Sequence, residues 1–82
     1  IGCRVEVEKM IATGRIDMVV ETIHIIYVLE LKLSNNGGID AAAEQIRSRQ
    51  YAEPFKADKR CVVALAIELD DKGKGLIDWK EV

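Results

Sequence analysis

From His24 to Leu33 the chain reads His-Ile-Ile-Tyr-Val-Leu-Glu-Leu-Lys-Leu, a run interrupted after His24 only by Glu30 and Lys32. It is too short for a membrane span and is rich in β-branched and aromatic residues, so it predicts a strand. Apolar residues at both parities imply a strand near the centre of a covered sheet. Glu30 and Lys32 are two apart and therefore share one face at its C-terminal end. A carboxylate and an ammonium in such surroundings constrain the chain more than any other feature. Alone, a Glu-x-Lys pair is usually a surface ion pair of little energetic value. Within an otherwise apolar strand, it would be costly to keep without a function.

The flanking segments supply the rest of a sheet. Alternation of Cys3, Val5 and Val7 with Arg4, Glu6 and Glu8 predicts a half-buried strand over Cys3–Ile11, closed by a Thr13-Gly14 turn. A second strand follows over Arg15–Ile23, then the run already described. Ser34-Asn35-Asn36-Gly37-Gly38 breaks the pattern and leads into a helix, with Ile39, Ala42, Ala43 and Ile46 at helical spacing, to about Gln50. Pro54 blocks any continuation. A fourth strand spans Arg60–Leu69, Asp70–Gly75 is a polar turn, and Leu76–Val82 is a short last strand. The order β-β-β-α-β-β predicts an α/β fold with a mixed five-stranded sheet. Strands three and four should be parallel, joined by a right-handed crossover.

These 82 residues fit a single domain over 1–82. The chain opens at Ile1 on a strand and without an initiator Met, and reads as a piece of a longer protein. With a net charge of −2 it has no global basic field, although a site built from carboxylates would itself lower the charge. No run is long enough to cross a membrane and no signal peptide is visible, which points to the cytoplasm. Cys3 and Cys61 lack metal-ligand or redox spacing and read as small buried hydrophobes, too far apart for a disulfide.

Asp17 lies thirteen positions before Glu30, near the start of the second strand. If the two strands pair tightly and antiparallel, Asp17 and Glu30 converge at one edge of the sheet, with Lys32 one pleat further on. Two carboxylates suit a hard divalent ion that keeps water and phosphate oxygens as its other ligands. A neighbouring lysine can orient attacking water and offset charge developing on a phosphate. One of Glu6 and Glu8 could supply a third acid, but a solvated strand face is the better reading; His24 reads as a turn or surface residue, Trp79 as core rather than a base-stacking platform, and Gly73-Lys74-Gly75 as a hairpin turn.

Gly14-Arg15-Ile16-Asp17, followed by Leu29-Glu30-Leu31-Lys32 on a strand, resembles the signature of the PD-(D/E)XK nucleases. The helix segment Ala41-Ala42-Ala43-Glu44-Gln45-Ile46 and the stretch Arg49–Phe55 extend the likeness, which runs from about Val5 to Trp79. In particular the chain is similar to the nuclease-superfamily domain found behind AAA-type ATPase domains in bacterial proteins. The resemblance implies a restriction-endonuclease-like fold and hydrolysis of phosphodiester bonds with Mg2+ or Mn2+. Asp17, Glu30 and the backbone carbonyl of Leu31 would be the metal ligands, Lys32 the catalytic lysine and Gln45 a supporting residue. Tyr51 would match a partner tyrosine, six positions from Gln45 rather than about one helical turn. The family's opening helix has no counterpart here, which could leave this stretch inactive alone.

The resemblance also implies a nucleic-acid substrate, DNA ahead of RNA, which Arg47, Arg49 and Lys56 could track along its phosphates. A solvated helix end explains those three cations almost as well. The rival reading is a catalytically silent interaction or assembly module serving an attached ATPase domain. A single substantial helix can shield only one sheet face. The other face, around Ile26, Val28 and Val63 or their pleat neighbours, should therefore drive self-association, most simply as a homodimer.

Overall fold

A computed structural model describes residues 2–82 of the chain. Its element order is β1 (Arg4–Ile11), β2 (Gly14–Glu21), β3 (Ile25–Leu33), α1 (Gly38–Ser48), β4 (Cys61–Leu69) and β5 (Leu76–Glu81). Two short 3-10 turns, Ser34–Asn36 and Glu53–Phe55, flank the helix. The five strands form one sheet in sequential order, antiparallel except for the parallel β3–β4 pair. The fold is thus the mixed five-stranded α/β sheet that the strand and helix order predicts, and it agrees with the restriction-endonuclease-like fold that the resemblance implies.

α1 covers one face of the central strands. Ala42, Ala43 and Ile46 pack against Ile26 and Val28 of β3 and Ala64 and Ala66 of β4. Alanines on both sides let helix and sheet approach closely, and the alternate residues of β3 and β4 supply the core because side chains alternate across a strand. Ile26 and Val28 therefore lie beneath the helix and are fully buried. The expectation that they belong to the uncovered face is corrected by the pleat: Tyr27, Leu29, Val63 and Leu65 occupy that face instead. Their exposure is intermediate, whereas Val5, Val7 and Trp79 on the outer strands are more than half exposed. Trp79 pairs with Ile67 on this open face, so it is not core. The molecule is only 19 Å through its thinnest dimension, which fits one sheet and one helix layer. Cys3 and Cys61 are free, as expected, but exposed rather than buried.

The helix start is held from a distant strand. Gly37 has φ of 97° and no side chain caps the helix there. Instead Glu68 of β4 accepts a hydrogen bond from the Ile39 N–H at 2.9 Å and another from the Ser34 hydroxyl at 2.6 Å. These donors, Ser34 first, hold the Glu68 carboxyl below the usual range. Gly38 is required by both conformation and space: its φ is 58°, and a Cβ would stand 2.5 Å from Glu68 Oε1. Gly38→Ala is expected to destabilise the fold by about 2–4 kcal/mol, from left-handed strain and overpacking together. Chemical denaturation checks this; a change below about 0.5 kcal/mol, the range of ordinary surface substitutions, would show that the helix start relaxes freely.

Candidate active site

The β2–β3 ladder ends where the chemistry begins. Its last regular pair is Met18↔Leu29, and one step further the register sets Asp17 across from Glu30. There Asp17 Oδ2 accepts a hydrogen bond from the Leu31 N–H at 2.9 Å, replacing a main-chain partner from β2. The N–H and carbonyl of one residue point to the same side of an antiparallel strand, so the Leu31 carbonyl faces the same gap. The burial pattern of β2 also slips here, since Val19 and Ile16 are buried despite their opposite parity. Opposite Asp17 in β1, between the pairs Val7↔Met18 and Lys9↔Ile16, stands Glu8 with φ of 54°. A left-handed glutamate within a strand is a strained conformation of the kind that clusters at functional sites.

Glu30 is the one buried charged residue among those described, 2% exposed. Tyr51 Oη lies 2.7 Å from its Oε1, Gln45 Nε2 donates to its Oε2 at 2.8 Å, and Lys32 Nζ stands 3.6 Å from Oε2. Gln45 Nε2 is also 2.9 Å from Tyr51 Oη, as is the main-chain carbonyl of Arg15. The tyrosine has one proton and two acceptors, Glu30 and Arg15, within reach. Both are satisfied when Glu30 carries a proton and donates to Tyr51, which then donates to Arg15. Burial is the main force raising the Glu30 carboxyl above its usual range, and the nearby Asp17 carboxylate adds to it. Tyr51 is pushed up to about 12, again mainly by burial.

Gln45 and Tyr51 meet although six positions separate them. The helix ends in a Schellman turn: Gln50 adopts φ of 50°, its N–H donates to the Arg47 carbonyl, and the Tyr51 N–H donates to that of Ile46. The reversal swings Tyr51 back under the helix, where it is fully buried. A continuing helix would have carried that position elsewhere.

The sequence-predicted set is thus brought together in part. Asp17, Glu30, Leu31, Lys32, Gln45 and Tyr51 form one cluster at the open end of the β2–β3 ladder, in the middle of the sheet rather than at a lateral edge. Arg49 lies alongside, its side chain against Gly14 and close enough to Tyr51 to lower its pKa slightly. Arg47 and Lys56 make no ion pair with the carboxylates; Lys56 pairs with Glu53 at 3.3 Å. Arg60 is occupied by Asp58, Glu21 and the Thr22 carbonyl, and it holds Asp58 down at about 2. Arg15 was not among the expected site residues, yet its guanidinium lies 3.0 Å from Glu8 and 3.8 Å from Asp17. Its signal was available, because Arg15 and Asp17 are two apart on one strand.

The oxygen donors of Asp17, Glu30 and Leu31 match a hard divalent cation. No group of three or more acidic, His or Cys side chains gathers among the described residues, so such an ion would keep several water or substrate ligands. Carboxylate and carbonyl oxygens are the donor type that magnesium or manganese takes.

Fold and cluster together define a nuclease-type α/β domain with a buried glutamate beside a partly exposed lysine at the end of a strand. A family model for the PD-(D/E)XK nuclease superfamily matches residues 2–79, and the chain belongs to that superfamily. No curated protein and no solved structure matches it at a significant level.

Proposed function

We propose that this domain hydrolyses phosphodiester bonds of nucleic acid, DNA ahead of RNA, with Asp17, Glu30 and the Leu31 carbonyl holding Mg2+ or Mn2+. The supporting observation is a glutamate 2% exposed, placed across from Asp17, with the Lys32 ammonium 3.6 Å away. When bound, the ion supplies charge neutralisation and a more acidic bound water. Lys32 holds the attacking water and places positive charge where the phosphorane develops. Gln45 and Tyr51 fix the Glu30 carboxylate, and Arg47, Arg49 and Lys56 contribute charge along the phosphate backbone. The test is incubation of the full-length protein with plasmid DNA and with single-stranded RNA, in Mg2+ or Mn2+. Metal-dependent cleavage abolished by chelation is expected; no cleavage and no metal binding by calorimetry would leave a silent interaction module.

That second reading is favoured by one specific feature, the open sheet face bearing Val5, Val7 and Trp79. We take residues 1–82 as one domain of a longer cytoplasmic protein, with an ATPase domain as its covalent partner. No helix among the described residues is long and apolar enough to cross a membrane. In this reading the open face pairs in a two-fold homodimer: burying several hundred Å2 contributes of order ten kcal/mol gross at about 25 cal/mol/Å2, of which association costs consume much. Light scattering after size exclusion should return twice the chain mass at micromolar concentration; a monomer would reject the dimer.

A further inference from the structure

We propose that Arg15 is a phosphate-binding residue of this site, parked against Asp17 by Glu8 and turned to the nucleic-acid backbone once Asp17 serves as a metal ligand. The proposal rests on the nuclease reading and adds a residue to it. Arg15 is the one cation in ion-pair reach of Asp17 among the described residues, and its two contacts are unequal. Nη1 donates to Glu8 Oε1 at 3.0 Å, whereas Nη2 stands 3.8 Å from Asp17 Oδ1, too far for a hydrogen bond. The guanidinium is therefore anchored at one end and loosely held at the other.

Its backbone is tied to the centre of the site, because the Arg15 carbonyl is 2.9 Å from Tyr51 Oη. Its side chain is 52% exposed, so it does not serve as a buried strut. Glu8, the anchor, stands opposite Asp17 in the strand register and holds a left-handed φ of 54°. Its carboxylate, 68% exposed, pairs with Arg15. A strained residue whose side chain holds one arginine at the mouth of a carboxylate cluster is consistent with positioning that arginine for use.

Charge decides what the arginine does next. A divalent ion on Asp17 would repel the nearby guanidinium, so that the Nη2 edge would turn away with the Glu8 bond as a pivot. The released edge retains donors in a planar fork, which matches two oxygens of a phosphodiester. Lys32 differs in kind: it is a single ammonium, without a planar fork, and it is paired to Glu30 inside the cluster.

The experiment compares wild type, Arg15→Gln and Arg15→Lys in the full-length protein by two binding measurements that need no turnover. Calorimetry measures Ca2+ and Mn2+ affinity. Anisotropy measures binding of a labelled DNA duplex in Ca2+ across a KCl series. Arg15→Gln should bind metal as tightly as wild type or a few-fold tighter. Its duplex affinity should fall by about tenfold and its salt slope by about 0.9, the signature of one lost phosphate contact. Arg15→Lys should restore the slope but only part of the affinity. Weaker metal binding with unchanged duplex binding in Arg15→Gln would reduce Arg15 to positioning Asp17 and overturn the proposal. If wild type binds neither metal nor duplex, the nuclease reading falls and takes this proposal with it.

Discussion

Lys32→Ala is expected to lower turnover on nucleic acid by about 10²–10³-fold while leaving divalent-metal binding intact. Lys32 is not a ligand in the proposed set, which consists of Asp17, Glu30 and the Leu31 carbonyl. Its ammonium lies 3.6 Å from Glu30 Oε2, and its side chain is only 29% exposed, so it points into the cluster and not into bulk water. Removing it withdraws a positive charge from the place where the phosphate gains negative charge. The competition between Lys32 and a cation for Glu30 also disappears, so metal affinity has no reason to fall. Single-turnover cleavage and calorimetry on the same preparations separate the two effects. Equal losses of metal binding and cleavage would make Lys32 a structural partner of Glu30. Unchanged cleavage would remove it from the mechanism.

Glu30→Gln should move stability and function in opposite directions. The Glu30 carboxyl is raised by burial, so the protonated form is the one the fold favours. Its favourable contribution is complete below the ordinary carboxylate range and is lost as pH rises through the elevated folded value, where ionisation must take place inside the protein. Glutamine is the permanent equivalent of the protonated side chain. Its NH2 can donate to Tyr51 while Tyr51 donates to the Arg15 carbonyl, and its oxygen still accepts from Gln45. The variant should therefore gain about 1 kcal/mol, roughly 4–8 °C in Tm for a domain of this size, at pH 7–8. The advantage should shrink as pH falls towards 4.5, the ordinary glutamate value. Metal binding and cleavage should be lost at every pH. Thermal unfolding across this range checks the stability arm. A variant less stable than wild type at pH 8 would mean that an ionised Glu30 is well compensated by Lys32 and Tyr51.

Asp17, Glu30 and Lys32 could be found without coordinates because period-two alternation is local, whereas Leu31, Gln45 and Tyr51 are implied only by the resemblance to the nuclease family. Glu30 and Lys32 had to share a face of one strand, and if β2 and β3 pair tightly across their short connection, Asp17 comes to lie near Glu30. The same locality placed all five strands and the helix within a few residues of their observed bounds. Contacts made over long sequence distances were a different matter. Nothing local to Glu68 marks it as the anchor of a helix that begins thirty positions earlier, since that role depends on β4 ending beside the Ser34–Asn36 turn. The Gln45–Tyr51 pair depends on a left-handed Gln50 that reverses the chain, a conformation that the glutamine side chain does not announce. Which parity of β3 and β4 faces α1 was equally undecidable, because both parities are apolar. Only the seating of the helix buries Ile26 and Val28 and leaves Tyr27, Leu29 and Trp79 on the open side. Periodicity and residue chemistry thus determined the elements and the catalytic candidates. Packing decided which face is covered, and Glu8 and Arg15 reach the site only because β1 pairs with β2 and sets Glu8 across from Asp17.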